Sequence, residues 1–251
     1  MKKNNLVLIA FLLIGSSSII AQSADEIIAN YFENTGGKAN WENLEALEYS
    51  GQLNMQGMMI PIIKIDTKSG KTMSRGDFQG QSFFQEVFDG ETLWNTNQMT
   101  MAAEKSDAES TENFKKNLND FPDPLLNYKE KGYTAELIGK ETIEGTETFK
   151  IKLVKEPIMV DGVEADDVSY YYFDTENFVP IVMETEITSG PGKGMTVIAK
   201  YSDYQEVDGI FFAFSIKNGV KEMPGETEIT IKDIKINPEI EDSIFAFPEK
   251  Q

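Results

Sequence analysis

Residues 83–101, FFQEVFDGETLWNTNQMTM, place two apolar runs either side of Asp89-Gly90 and follow them with a third run rich in methionine. Asp-Gly between β-prone runs is the strongest short hairpin signal, and it predicts a two-residue turn with positive φ at both central positions. Phe83 and Val87 fall on one face of the incoming strand, Phe84 and Phe88 on the other, so both faces of this sheet must meet apolar matter. Any fold for this chain therefore starts from a sheet covered on two sides.

The rest of the chain repeats the theme. Leu47, Tyr49, Gly51, Leu53 and Met55 alternate with polar residues, which predicts a half-buried strand turning at Gln56-Gly57. Pro61 in the next run predicts an edge or a bulge. Phe149, Ile151 and Leu153, the tyrosine-rich 168–173, the run from Val179 to Ile187, Met195 to Tyr201, and Ile210 to Ile216 after Asp208-Gly209 read as further strands, with a turn at Ser189 to Gly192. In the last strand the apolar phase shifts from Ile229 and Ile231 to Ile234 and Ile236, which predicts a bulge near Lys232-Asp233. The count is about eleven strands joined by short turns without a long crossover, hence one antiparallel, curved sheet.

Helices are expected in two places. Ser23 and Glu26 have capping-box spacing ahead of the stripe Ile27, Ile28, Tyr31, Phe32, with Gly36-Gly37 as the stop and a short turn near Trp41 to follow. Ser106 and Glu109 suggest a second box before Phe114, Leu118 and Phe121; Asp123 and Pro124 then open a short helix carrying Leu125, Leu126 and Tyr128. This mid-chain insert must cover the sheet, either as plain core or as the lid of a cavity.

Residues 1–21 read as a secretory signal, with Lys2 and Lys3 before an apolar run too short for a membrane span, leaving 22–251 as a single domain outside the cytoplasm. Losing those two lysines, with no acid alongside them, takes the formal charge from −19 to −21. Such a surface repels nucleic acid. The chain has no cysteine and no histidine, so Ser-His-Asp and Cys-His catalysis and the usual zinc ligand sets are excluded, and no cofactor or metal is expected. A carboxylate-pair hydrolase survives that filter on acid content alone. The acidic loop 161–167 lacks EF-hand spacing and reads as a solvated turn.

FDGETLWNTNQMTM resembles the strand-turn-strand segment of the LolA/LolB-like superfamily of periplasmic lipoprotein-localisation factors. The order of parts is similar as well: signal, helix, strands, that hairpin, an insert with a Pro-Leu-Leu core at Asp123-Pro124-Leu125-Leu126, more strands, and a terminal Phe245-Ala246-Phe247-Pro248. The resemblance implies a mainly β fold, an incomplete, open antiparallel β-barrel with an N-terminal helix and a mid-chain helical lid. It implies a periplasmic carrier rather than an enzyme, holding lipoprotein acyl chains or another lipid for outer-membrane lipoprotein sorting. The expected cavity-lining set is Met55, Ile63, Met73, Phe84, Phe88, Trp94, Met99, Met101, Leu125 and Leu126, with Arg75, the chain's one arginine, as a lid or gating residue. Without a cysteine for lipid anchoring the chain is expected to be a soluble monomer. An envelope-stress sensor on the same fold, reporting to a membrane-protein partner, is the alternative.

Overall fold

The computed structural model describes residues 22–190, 192–221 and 223–248. The expected export signal at 1–21 and Pro191 of the Ser189 to Gly192 turn lie outside the described residues.

Five two-residue turns of the form X-Gly punctuate the chain, at Gln56-Gly57, Gln79-Gly80, Glu144-Gly145, Asp161-Gly162 and Asp208-Gly209, each with positive φ at both positions. That is the turn whose twist matches two right-handed strands, and glycine takes the second position without steric cost. Asp89-Gly90 is different. Asp89 is not in the left-handed region, and its Oδ1 accepts from the backbone N–H groups of Glu91 (2.9 Å) and Thr92 (2.7 Å), so the hairpin closes through a longer Asx-type connection.

Among the described residues there are fifteen strands, more than the eleven or so expected. The first half is a meander of β1 (Ala46–Met55), β2 (Met58–Thr67), β3 (Thr72–Phe78), β4 (Gln81–Phe88), β5 (Leu93–Thr96) and β6 (Ala103–Lys105). The second contains β7 (Thr134–Ile143), β8 (Thr146–Val154), the small hairpin β9 (Ile158–Val160) and β10 (Val163–Ala165), then β11 (Val168–Asp174), β12 (Pro180–Glu186), β13 (Thr196–Val207), β14 (Ile210–Val220) and β15 (Glu226–Ile236). Thirteen strands form one antiparallel sheet in the order β6-β5-β4-β3-β2-β1-β15-β14-β13-β12-β11-β8-β7, which does not close into a barrel. β1 and β15 join the two halves. Contrary to the expectation of short turns throughout, the insert carries the chain from one edge, β6, to the other, β7.

The expected bulge is present: register between β1 and β15 shifts beside Ser50/Gly51, leaving Lys232 without an opposite residue. Pro61 lies in an inner strand, but the β2–β3 ladder ends at Ile62↔Gly76, so its missing N–H falls where β2 is locally an edge.

Helix α1 (Ala24–Asn34) begins with the predicted box, Ser23 and Glu26 bonding reciprocally at 3.2 and 2.9 Å. Its buried stripe, with Trp41 from α2 (Lys38–Glu42), packs on Ile151, Leu153, Phe173, Phe212, Phe214, Ile231 and Ile234. We call this the inner face of the sheet. The outer face has a cover of its own: the segment from Ile240 to Phe247 lies over Ile65, Met73, Val87 and Trp94. The two-sided burial expected of the opening hairpin is met on the outer face by this C-terminal segment and on the inner face by Phe114 of the mid-chain insert against Phe88. The irregularity at Glu86, with its φ of 50°, breaks the expected alternation and puts Phe84 and Val87 on the outer face together.

Candidate functional site

Directly opposed residues of neighbouring strands share a face. Tyr201, Ile216, Ile229, Leu53 and Ile60 are paired in turn across β13, β14, β15, β1 and β2, and Gly51, which is flanked by Ile231 and Ile62, sits one step along. Ile231 belongs to the core under α1, so this line is on the inner face. Yet Leu53, Ile60, Ile62, Tyr201, Ile216 and Ile229 are only half-buried. The inner face thus continues as an apolar floor past the edge of its helical cover.

The insert packs on the same inner face beside that floor, against Phe88 and the main core. Helix α3 (Ala108–Lys116) starts one residue later than the predicted box: Asp107 is the N-cap, accepting from Ser110 N–H at 2.7 Å. None of its side chains is buried. It is held by Phe114 against Phe88 (ring centroids 5.2 Å apart), by reciprocal bonds of Asn113 with the Met159 backbone in β9 (2.6 and 2.8 Å), and by Lys116 on the Pro157 carbonyl. A 3-10 turn, Asn117–Asp120, follows. The expected helix after Pro124 is instead a run of turns, because Asn127 takes a left-handed φ of 53° that interrupts α-helical bonding. Leu125, Leu126 and Tyr128 from this run are buried in the main core.

This second part of the insert is tied down firmly. Tyr128 donates to Asp25 of α1, Lys129 pairs with the same carboxylate at 2.6 Å, and Asn127 donates to Glu42 at 2.9 Å. Asp120 bonds Tyr133 (2.9 Å) and Lys155 (2.9 Å), and Lys155 also reaches Asp167 at 3.0 Å. Burial would lower the Lys155 ammonium, but the two carboxylates outweigh it and hold it above the ordinary lysine value.

Between the insert, the β9–β10 hairpin and the β11–β12 strands lies a cleft of about 1150 Å³, open on one side. Pro124, Ile158, Val160, Tyr171 and Met183 supply apolar lining, and Asp120, Lys152, Lys155 and Glu186 supply polar lining. A second cleft of about 230 Å³ separates the insert's Phe114, Leu118 and Phe121 from Lys64, Asp66, Thr72 and Glu86 on the inner face of the first half.

Asp123 sits at the inner end of the insert, accepting from Leu125 N–H (2.7 Å) and the Tyr31 hydroxyl (3.0 Å). Burial pushes its carboxyl up, more than these bonds and the Lys131 ammonium pull it back. Its charge in turn raises the phenols around it: burial and then Asp123 lift Tyr31, Tyr171 and Tyr201, the last to about 12. The sign of the pH effect follows. A carboxyl raised above its unfolded value of about 3.9 adds stability that is full below that value and is lost as pH rises through the folded pKa. We expect wild-type protein to lose stability relative to Asp123→Asn as pH rises above about 4 in paired urea titrations; parallel pH profiles would rule this out.

The predicted lining residues occupy several environments. Met55 is on the inner face at an exposed hairpin end, and Phe88 faces α3; Leu125 and Leu126 are core. Ile63, Met73, Phe84 and Trp94 lie on the outer face, where Trp94 Nε1 donates to the Phe245 carbonyl at 3.0 Å. Arg75 is opposite Phe84 on that outer face, 3.3 Å from Asp77. Met99 is 92% exposed in the β5–β6 loop and Met101 is half-buried beside it. The structure does not gather these eleven residues at one site. The floor residues from β13, β14 and β15 and the cleft residues Met183 and Lys155 were not singled out from the sequence, and the tyrosine-rich strand that carries Tyr171 reads there as core. Their alternation was readable, but not which face each strand turned toward the helices.

An open antiparallel sheet crossed by an N-terminal helix and a mid-chain insert is the fold of the LolA superfamily. A LolA superfamily protein from Nitrosomonas europaea superposes with a TM-score of 0.53 at 14% identity over 90% of this chain and 98% of its own. A domain from Vibrio parahaemolyticus described as an outer membrane lipoprotein-sorting protein gives 0.53 at 13% identity over 88% and 97%. A DUF1329 family protein from Desulfovibrio piger gives 0.54 at 11% identity over 90% and 98%. At these identities the likeness establishes the fold. A family model described as "Uncharacterized protein" matches residues 119–248, about half of the chain, and the chain belongs to that family. No curated protein matches it. Among the described residues no helix is long and apolar enough to cross a membrane.

Proposed function

We propose that this protein is a non-enzymatic carrier that takes up the acyl chains of a lipoprotein, or of another lipid, between the inner face of its sheet and the insert. The observation that carries this reading is the apolar floor of Leu53, Ile60, Ile62, Ile216 and Ile229, which runs on from the helix-covered core but stays half-buried. Side chains of this kind lose free energy by facing water, and a flexible hydrocarbon chain is the simplest partner that recovers it. The cleft of about 1150 Å³ is larger than most drug-sized ligands require, and α3 has no buried side chain to hold it shut. Phe88, Leu125 and Leu126 of the expected lining would form roof contacts, and Met55 would sit at the far end of the floor.

Burying about ten methylenes contributes about 8 kcal/mol before ordering costs, so the affinity is at best about micromolar and release needs no nucleotide. The pattern of residues 1–21 supports export before function, and the unbroken sheet through both halves supports one domain over 22–251. The direct test is displacement of a fluorescent fatty acid from the mature protein, with lipid mass spectrometry on material purified from its native envelope. Micromolar probe binding, weakened at least tenfold by Leu53→Glu, is expected. Absence of both probe binding and co-purifying lipid would overturn the carrier reading.

A further inference from the structure

Six of the eight large apolar side chains exposed among the described residues are methionines: Met55, Met58, Met59, Met99, Met195 and Met223. Strand directions place all six at the same end of the sheet, where the β1–β2, β3–β4, β5–β6, β12–β13 and β14–β15 connections lie. The sequence at that end is unusual for a chain with a formal charge of −19: residues 49–63, 78–85 and 92–103 contain no Asp, Glu, Lys or Arg. These stretches include the tips of three hairpins that are neighbours in the sheet, β1–β2, β3–β4 and β5–β6. At the opposite end every hairpin connection is charged, among them 68–71, 89–92, 144–145 and 208–209. Neutrality is therefore a property of these three neighbouring tips and not of this chain's turns in general, since at the same end the β12–β13 and β14–β15 connections carry Lys193 and Lys221-Glu222.

We propose that this row of uncharged tips, methionine-bearing at β1–β2 and β5–β6, is the surface through which the protein touches the electrically neutral face of a lipid bilayer. Hairpin tips two strands apart are about 10 Å from each other, so the three tips form a comb about 20 Å long and one strand thick. The adjoining β14–β15 turn adds Met223 but carries Lys221 and Glu222 and is not part of the uncharged row. A comb suits a soft surface that closes around each tip, and unbranched methionine adapts to irregular apolar surroundings. The tips offer no Trp, Tyr or Arg, the side chains that anchor a dedicated protein partner. Charge matching points the same way. An acidic protein is repelled by an anionic surface, whereas tips free of both signs meet zwitterionic headgroups without an ion to desolvate. Apolar contact then carries the attachment, as it does for interfacial helices. The inference is independent of what the cleft holds.

Flotation of the mature protein with phosphatidylcholine vesicles tests it. Binding that persists from low to high salt is expected, with at least a tenfold loss in Met58→Glu/Met99→Glu and a smaller loss in Gln79→Glu/Gln81→Glu, both folded by circular dichroism. Lys68→Gln, at the charged end, binds as wild type. No flotation with phosphatidylcholine, or flotation that needs anionic lipid and disappears in salt, overturns the proposal. So does unaltered flotation of both tip variants. Concentration-dependent dimers in sedimentation velocity, lost in the Met58→Glu/Met99→Glu variant, would assign the surface to a second copy of the chain instead and overturn it equally.

Discussion

Replacing Gly51 by alanine lowers the free energy of unfolding by about 3 kcal/mol in urea denaturation, and valine at the same position costs more. The reason lies in the seam of the sheet. Gly51 is on β1 where the register with β15 shifts, and a methyl group built there would sit inside contact distance of the Thr230 carbonyl oxygen, 3.1 Å from Ile231 Cα. Those are backbone atoms of a paired strand, so nothing nearby can swing aside. Relief requires the β1–β15 ladder to open, and that ladder is where the six strands of the first half meet the seven of the second. Gly57, at the β1–β2 tip, is the comparison. It has open space around it and a φ of 89°, so Gly57→Ala costs only left-handed backbone strain, about 1 kcal/mol. A Gly51→Ala change within 0.5 kcal/mol of wild type would mean that β1 and β15 do not approach this closely in solution.

What could be read from the sequence was what is local. The Ser23/Glu26 box, the bulge beside Asp233 and most of the X-Gly hairpins depend on residues within a few positions of each other, and local hydrogen-bonding and φ preferences decide them. The β9–β10 hairpin was missed because its strands are three residues each, and the acidic flank around its Asp161-Gly162 turn reads as solvated loop. The site failed to emerge for a different reason. In residues 83–101 both faces are apolar, so alternation alone cannot say which one meets the insert and which the C-terminal segment. Trp94 shows the difficulty. Its hydrogen-bond partner, the Phe245 carbonyl, is 151 positions away, and that long-range contact fixes Trp94 to the outer face. The expected lining set placed Met55 and Met99 in the cavity wall, whereas strand direction carries both to a rim with the other exposed methionines.

Lys155 joins three segments distant in sequence, so its loss should unsettle the roof of the cleft as well as the fold. Its ammonium is 2.9 Å from Asp120 in the insert and 3.0 Å from Asp167 beyond β10, with side-chain exposures of 12%, 20% and 17% for the three residues. Removing the cation leaves two carboxylates facing each other with little water to separate them, and breaking a buried pair in this way costs about 3–5 kcal/mol. Lys155→Met should therefore lose about 3 kcal/mol near neutral pH, and a fatty-acid probe should leave the variant faster because Asp120 no longer ties the 3-10 turn to the end of β8. The sign of the pH dependence is set by the raised lysine. Its contribution is intact below the ordinary lysine value of about 10.4 and is lost only as pH rises through the higher folded value, so the difference between wild type and variant should narrow in strong alkali. Adding Asp120→Asn and Asp167→Asn to Lys155→Met removes the unpaired charges and should restore much of the stability while leaving the probe's escape fast. Restoration of both together would mean that the ion pairs only offset each other's burial and do not hold the insert over the cleft.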